Sequence, residues 1–505
     1  MAHSYKAPQR DQLFLLPPSI RDWVPEEHLV WFVLDVVSVV DLSRFDERHP
    51  NDTVGRRAYD PEMMLALLFY AYCCGLRSSR RIEAAVRVDL AFRAICADLV
   101  PDHIAIARFR ADHEQAIKDT FIDVLRLCAK AGLASLGVIA IDGTKMAADA
   151  ALDQNRSEST IRAEVEAIMA QVAAAEKEEA VQPSLAGELP EMLAHRSSRL
   201  GRLKAALGEI EAQRQAAVAA EAAATERMAQ DAEQGRRPKG KAPADPARAA
   251  ERARAEVTSA RVRHAAARSV LERLQTTADL ERAERLLVEA EAAAESAPAP
   301  AERQANVVDP ESRIMKTHDG WLQGYNAQAA VNASQIVVAA ELTNDANDVA
   351  LLLPLIAASE ANANKAGVAG GIGVVLADAG YWSEINATAE GPNRLIATLK
   401  DWKQRRAAKQ MGTTTGEPPE DASPLEAMEH ALRTPEGAEL YAQRSYTVEP
   451  VFGQAKENRS IRRFMRRGLD AAESEWALIC TTGNLLKLYS HAGGRSLAEV
   501  IAAAS

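Results

Sequence analysis

The chain gives a buried-strand signal, loses it for about 150 residues, and then regains it. "LGVIAIDG" (Leu136–Gly143) is a β-branched apolar run that closes on an aspartate and a glycine. The same character returns in "YNAQAAVNASQIVVAAELTN", which reads as two strands around Asn332-Ala-Ser, and in "GVAGGIGVVLADAG", an apolar run that again ends on Asp, here Asp378, before a Gly turn. Between them, residues 157–305 are rich in Ala, Glu and Arg and lack aromatic side chains. That stretch reads as helical. The fold class is therefore α/β, with one mixed domain in two pieces, 131–156 and 306–505, interrupted by a helical insertion at 157–305.

Within the insertion, Leu200, Leu203, Leu207 and Ile210 follow the 3-4-3 spacing of a coiled-coil seam. Gly and Pro in "QGRRPKGKAPADP" (Gln234–Pro246) break the pattern, and a second run continues to about Glu295 before "SAPAPAE" ends it. Two long antiparallel helices forming a hairpin arm fit this layout; a charged linker without fixed structure is the other reading.

Residues 1–130 read as all-helical. "EEHLVWFVLDVVSVVDLSRF" has helical length, and "MLALLFYAYCCGL" (Met64–Leu76) is too short for a bilayer and reads as a core helix. Asp60-Pro61 supplies its cap and first turn, Gly75 its end, and Ser78 or Ser79 the next cap. "PDHIAIARFRADHEQAIKDTFIDVLRLCAKAG" continues as helix. Short helices carrying Arg77, Arg80, Arg81, Arg108 and Arg110 resemble a helix-turn-helix DNA-binding unit; a bundle with solvated arginines is the alternative. The N-terminal "MAHSYKAPQRDQ" lacks the apolar core of a signal peptide, and Cys73, Cys74, Cys96, Cys128 and Cys480 follow no zinc spacing. We therefore expect buried thiols and a cytoplasmic protein without a membrane segment, nucleoid-associated when acting.

Asp142 and Asp378 each close a predicted buried strand, where a lone carboxylate is costly unless paired or bound to a cation. Strand ends are also where α/β folds present their chemistry. A third acid, Glu449, opens the helical-looking "VEPVFGQAKENRSIRRFMRRG", and Lys456, seven residues on, shares its face. Arg459, Arg463, Arg466 and Arg467 extend a basic stripe, although the formal net charge of the whole chain is −11. Each acid alone reads equally as a cap or a surface carboxylate. Together, three oxygen donors suit Mg²⁺ or Mn²⁺, and a pair of such ions can activate a water or a 3′-hydroxyl against a phosphodiester. The basic stripe would then hold phosphates.

These residues resemble the DDE transposases of bacterial insertion sequences whose glutamate lies in a Tyr–Arg–Glu–Lys signature. Tyr441, Arg444, Glu449 and Lys456 meet that pattern, with four residues between Arg and Glu against the commoner three. "AIDGTKMAADA" is similar to the first catalytic aspartate motif and "LADAGYWSE" to the second; "LLPPSIRDWVPEEHLVWFVLDVV" resembles the group's N-terminal helical domain. "PDHIAIARFR" departs from a Ser/Thr-rich run expected there. The resemblance implies an RNase H-like catalytic core with Asp142, Asp378 and Glu449 as catalytic residues and metal ligands, and two Mg²⁺ (or Mn²⁺) per active site. It implies cleavage at terminal inverted repeats, strand transfer by a 3′-hydroxyl, and a homodimer on DNA. Tyr441, Arg444, Lys456, Arg459, Arg463 and Trp382 would contact DNA, Trp382 by stacking or else by packing in the core. A DNA-binding or assembly protein with an inactive core, and a metal-dependent nuclease without strand transfer, are the alternatives.

Overall fold

The structure, a computed structural model, describes residues 19–46, 58–97, 99–181, 191–238, 243–298, 301–399 and 412–504. The N-terminal dodecapeptide, Lys239–Ala242 of the expected break and Ala299-Pro300 of the expected terminator lie outside them. The chain forms two compact units: residues 155–310, and the remainder on either side.

In the larger unit the N-terminal helices come first. Leu29–Ser38 is an apolar helix, and Pro61–Cys73 is buried from Met64 onward. Asp60 caps the latter through the Glu62 amide (2.8 Å), Pro61 occupies its first turn, and Gly75 ends it at φ +73°. Shorter helices follow at Ser79–Val88 and Leu90–Cys96. The long helical run expected after Pro101 is two helices, His103–Asp112 and Glu114–Lys130, divided at the buried His113. Cys74 is exposed, against expectation, and the other four cysteines are buried.

Strand β1 (Val138–Ala147) then leaves the helices, and the smaller unit is inserted after it. Its two ends are zipped together where β2 (Asn155–Ser157) pairs antiparallel with β3 (Gln304–Asn306). Between these, among the described residues, lie four helices rather than two: Glu158–Val181, Glu191–Glu233, Pro246–Ala266 and Val270–Glu295. The run expected to continue to Glu295 is cut at Ala267–Ser269 because Ser269 starts a new helix. Its hydroxyl accepts from the Glu272 amide while the Glu272 carboxylate accepts from the Ser269 amide, a reciprocal capping box. Leu203 and Ile210 of the seam are buried against Ile161 and Ile168, with Leu200 and Leu207 alongside.

The sheet of the larger unit is completed by β4 (Arg313–Thr317), β5 (Gly320–Asn332), β6 (Val337–Thr343), β7 (Val374–Ala377) and β8 (Asn393–Ile396). The order is β4-β5-β1-β7-β8, with β6 also on β5; β4, β5, β1 and β6 pair antiparallel, while β7 and β8 run parallel to β1. The β5–β6 turn is set by Asn332, whose side-chain oxygen accepts from Ser334 and Ile336 amides. Tyr325–Asn332 is buried throughout, as a strand covered on both faces must be.

Helix Leu469–Ala492 packs on this sheet. The Trp476 indole donates to the Gln328 carbonyl (2.9 Å), and the Asn484 amide exchanges two 2.8 Å hydrogen bonds with the Val337 backbone, as a neighbouring strand would. Among the described residues no helix is long and apolar enough to cross a membrane.

Candidate active site

Asp142 does not end its strand. β1 runs on to Ala147 because β5 supplies antiparallel partners as far as Gly324. What ends beside Asp142 is the parallel neighbour: Ile141 pairs with Ala377, the last residue of β7, and Asp378 follows. The register therefore sets the two aspartates side by side on adjacent strands. Each carboxylate is steadied by a local amide, Gly143 N–H to Asp142 (2.9 Å) and Gly380 N–H to Asp378 (2.8 Å).

The third acid comes from the opposite end of the sequence. Helix Pro435–Thr447 carries Tyr441 and Arg444, and after Val448 a short helix, Glu449–Gly453, starts on Glu449 with Pro450 in its first turn. Arg444 joins the acids: its guanidinium lies 2.7 Å from the Asp142 carboxylate and 3.7 Å from that of Glu449. Glu449 is 59% exposed, whereas Asp142 and Arg444 are largely buried at 19% and 14%. The Tyr441 hydroxyl donates to the Ala377 carbonyl (3.3 Å), and Tyr441, Arg444, Gly380 and Leu399 line a cavity of about 340 Å³ beside Asp378.

Burial dominates the electrostatics. It pushes the Asp142 carboxyl up to about 6; Arg444 opposes the rise, and Asp378 and Asp348 add to it. Burial also works against the charge of Arg444, but Asp142 and its acidic neighbours outweigh it and hold the guanidinium above its ordinary value. Lys456 is pushed down, by burial first and then by Arg462. Its ammonium donates to the Thr144 hydroxyl, and pairing along β1 puts Thr144 on the same face as Asp142.

The basic stripe is not a helical one. After Gly453 the helix widens into a π turn, Gln454–Asn458, and stops; Ser460 takes φ +55°, and Ala147 of β1 bridges to Arg463 in extended chain. Ile461 and Phe464 are drawn into the core. Arg459 is 5% exposed, donating to the Ile479 carbonyl (3.1 Å) and the Thr482 hydroxyl (2.9 Å), so it presents no charge to a ligand. Arg463 is half-exposed beside Asp149 (3.5 Å), and Arg466 and Arg467 pair with Glu114 and Asp149. Arg77 and Arg110 are likewise internal: Arg77 reaches the Arg463 carbonyl and Glu475, and Arg110 the Arg77 carbonyl. Arg80, Arg81 and Arg108 are exposed. Trp382 is half-buried and packs against the main core. His318 and Asp319 are fully exposed, hydrogen-bonded only to each other among the described contacts.

A second polar group, absent from the sequence reading, stands beside the acids. Asp348 accepts from Lys145 Nζ (3.1 Å), Asn326 Nδ2 (2.7 Å) and Gln328 Nε2 (2.9 Å). Gln328 in turn accepts from the buried Tyr381 hydroxyl. The network packs so closely on β1 that a Cβ on Gly143 would stand 2.0 Å from Gln328 Nε2. The signal available was the alternation of the amides Asn326 and Gln328 within a buried strand.

Carboxylate oxygens from three elements suit a hard divalent cation. The guanidinium across Asp142 and Glu449 shows that this place already takes a positive charge. Among the described residues, no three His, Cys, Asp or Glu side chains stand grouped closely enough to hold an ion as they are.

Two family models match the chain. A transposase domain (DUF772) matches residues 18–112, the N-terminal helices, and a transposase DDE domain matches residues 403–489, which include Tyr441, Arg444, Glu449 and Lys456. No curated protein and no solved structure gives a significant match. The two matches, one toward each end, support an insertion-sequence DDE transposase.

Proposed function

We propose that this transposase cuts phosphodiesters at the terminal inverted repeats of its element and joins the freed 3′-hydroxyl to target DNA, with Asp142, Asp378 and Glu449 as catalytic metal ligands. The observation that carries the reading is the β1–β7 register, which sets Asp142 beside Asp378, together with Arg444 spanning Asp142 and Glu449. Antiparallel strands β4, β5, β6 and β1, continued by β7 and β8 parallel to β1, support an RNase H-like core.

Divalent cations, two per site, would supply charge to the attacking and leaving oxygens. The chain's own residues do the rest. Asp142 and Asp378 are fixed by strand register and by local amides, so the donors are positioned before substrate arrives. Tyr441 and Arg444 line the cavity beside Asp378 and would orient a phosphate there; Lys456, held over Thr144, adds positive charge on the same face. Arg463 would reach flanking backbone, and Trp382 would stack only by leaving its packing. Arg80, Arg81 and Arg108 give the N-terminal helices an exposed basic surface for the ends, and two ends joined in one event call for a dimer on DNA.

The test is nicking and joining of an end-containing duplex in Mg²⁺ by the wild type and by Glu449→Gln. We expect the variant to lose at least ~10²-fold in cleavage with DNA binding retained. Equal cleavage by both would remove Glu449 from the site. Cleavage without joined product would leave a nuclease.

A further inference from the structure

Arg444 is bound tightly on one side and poorly on the others. One terminal nitrogen is at 2.7 Å from Asp142; the other reaches Glu449 only at 3.7 Å, beyond a hydrogen bond. Its Nε is buried and has no hydrogen-bond partner. A buried arginine normally satisfies its whole fork, because each unmet buried donor forfeits its solvation without recompense. The side chain also borders the cavity beside Asp378. It is thus a cation shared by two acids and partly unsatisfied, facing a space large enough for a phosphate group.

A guanidinium keeps its proton under all ordinary conditions, so it cannot leave Asp142 by neutralising itself. Nor can it leave alone, since that would strand a buried carboxylate without a countercharge. Another cation must replace it, and another anion must receive it. A phosphate in the cavity offers two oxygens to the fork and would satisfy the donors that the present contacts leave unmet.

We infer that Arg444 is the built-in countercation of the acidic site: it holds Asp142 and Glu449 in the DNA-free protein, and is exchanged for a divalent cation as it passes to a DNA phosphate. This rests on Asp142 being a metal ligand, as proposed above. Without DNA, Arg444 competes with the cation for Asp142. With DNA, the phosphate draws Arg444 away and the competition ends. Cation and DNA therefore favour the same Arg444 position, and each strengthens the other's binding by the same factor. The device keeps the site from being loaded until an end is in place.

The test measures Mn²⁺ binding to DNA-free full-length protein, reading free Mn²⁺ by electron paramagnetic resonance. Arg444→Gln should bind Mn²⁺ at least ~5-fold more tightly than the wild type, the low end of ordinary coupling between sites. Arg444→Lys, which keeps a charge, should stay near wild type. Adding Asp142→Asn to Arg444→Gln should abolish the gain. If Arg444→Gln lowers the melting temperature, Arg444→Met is read in its place. Equal or weaker Mn²⁺ binding on loss of the charge, or no binding by either form, would overturn the exchange. If Asp142→Asn leaves Mn²⁺ binding untouched in the Arg444→Gln background, the ligand assignment itself fails.

Discussion

Gly143→Ala is a one-carbon change beside Asp142 whose cost can be worked from the contacts. An alanine in extended backbone would ordinarily gain about 0.5–1 kcal/mol over glycine. Here the new methyl would stand 2.0 Å from Gln328 Nε2 and 2.8 Å from its Cδ. Relief requires the Gln328 side chain to move by more than an ångström, and that side chain is fully buried. It would give up hydrogen bonds to Asn326 Oδ1 (2.9 Å) and Asp348 Oδ1 (2.9 Å), and that from the Tyr381 hydroxyl. At about 1 kcal/mol net for each, less the glycine gain, Gly143→Ala should destabilise by about 2–2.5 kcal/mol. Urea unfolding measures this as a lower midpoint at unchanged slope. The origin is checked by a double-mutant cycle: in a Gln328→Ala background the same change should cost less than about 1 kcal/mol, because only the Asn326 Oδ1 contact at 3.1 Å remains tight. A full cost in that background, or no cost in the wild type, would refute the packing account.

Two further predictions concern the helical part. Glu475 is buried and accepts from Arg77, the Met465 amide (2.8 Å) and the Arg466 amide (3.1 Å), so Glu475→Ala should cost about 3–5 kcal/mol in thermal unfolding and loosen DNA binding with it; a loss under about 1 kcal/mol would be contrary. Glu83 accepts from Arg87 and from both the amide and ring of His103, contacts that hold its carboxyl down at about 2. Since a depressed folded-state value contributes stability above the unfolded value near 4.5 and loses it as pH falls toward 2, Glu83→Gln should flatten the acid slope of the melting temperature across that window. An unchanged slope would count against it.

Local chemistry was readable in the sequence wherever one residue decides the backbone. Asp60-Pro61 opens a helix, Asn332 turns a hairpin, and the Ala-Glu-Arg block contributes nothing to the main sheet. The aspartates were readable as acids closing apolar runs, yet only pairing reveals that Asp142 lies mid-strand while its neighbour β7 ends beside it. Charges were read least well. A run of arginines looks the same whether each faces water or, like Arg77, Arg110 and Arg459, donates to carbonyls in the interior. The Asp348–Gln328–Tyr381 network escaped for a similar reason: its members lie far apart in the chain and each, alone, is an ordinary polar residue.

The place of the insertion bears on how the chain is made. β1 carries the first aspartate, but its antiparallel partner β5 begins only at Gly320, roughly 170 residues after β1 ends. At about 5–20 residues per second, a ribosome needs some 10–30 seconds to cover that distance. For that interval β1 is an apolar strand with both edges unpaired, the condition under which nascent chains associate wrongly. The insertion, whose ends are clasped by β2 and β3, is complete before β5 appears. Its early closure brings the severed halves of the sheet back within reach of each other, turning a loop of about 170 residues into an effectively short one.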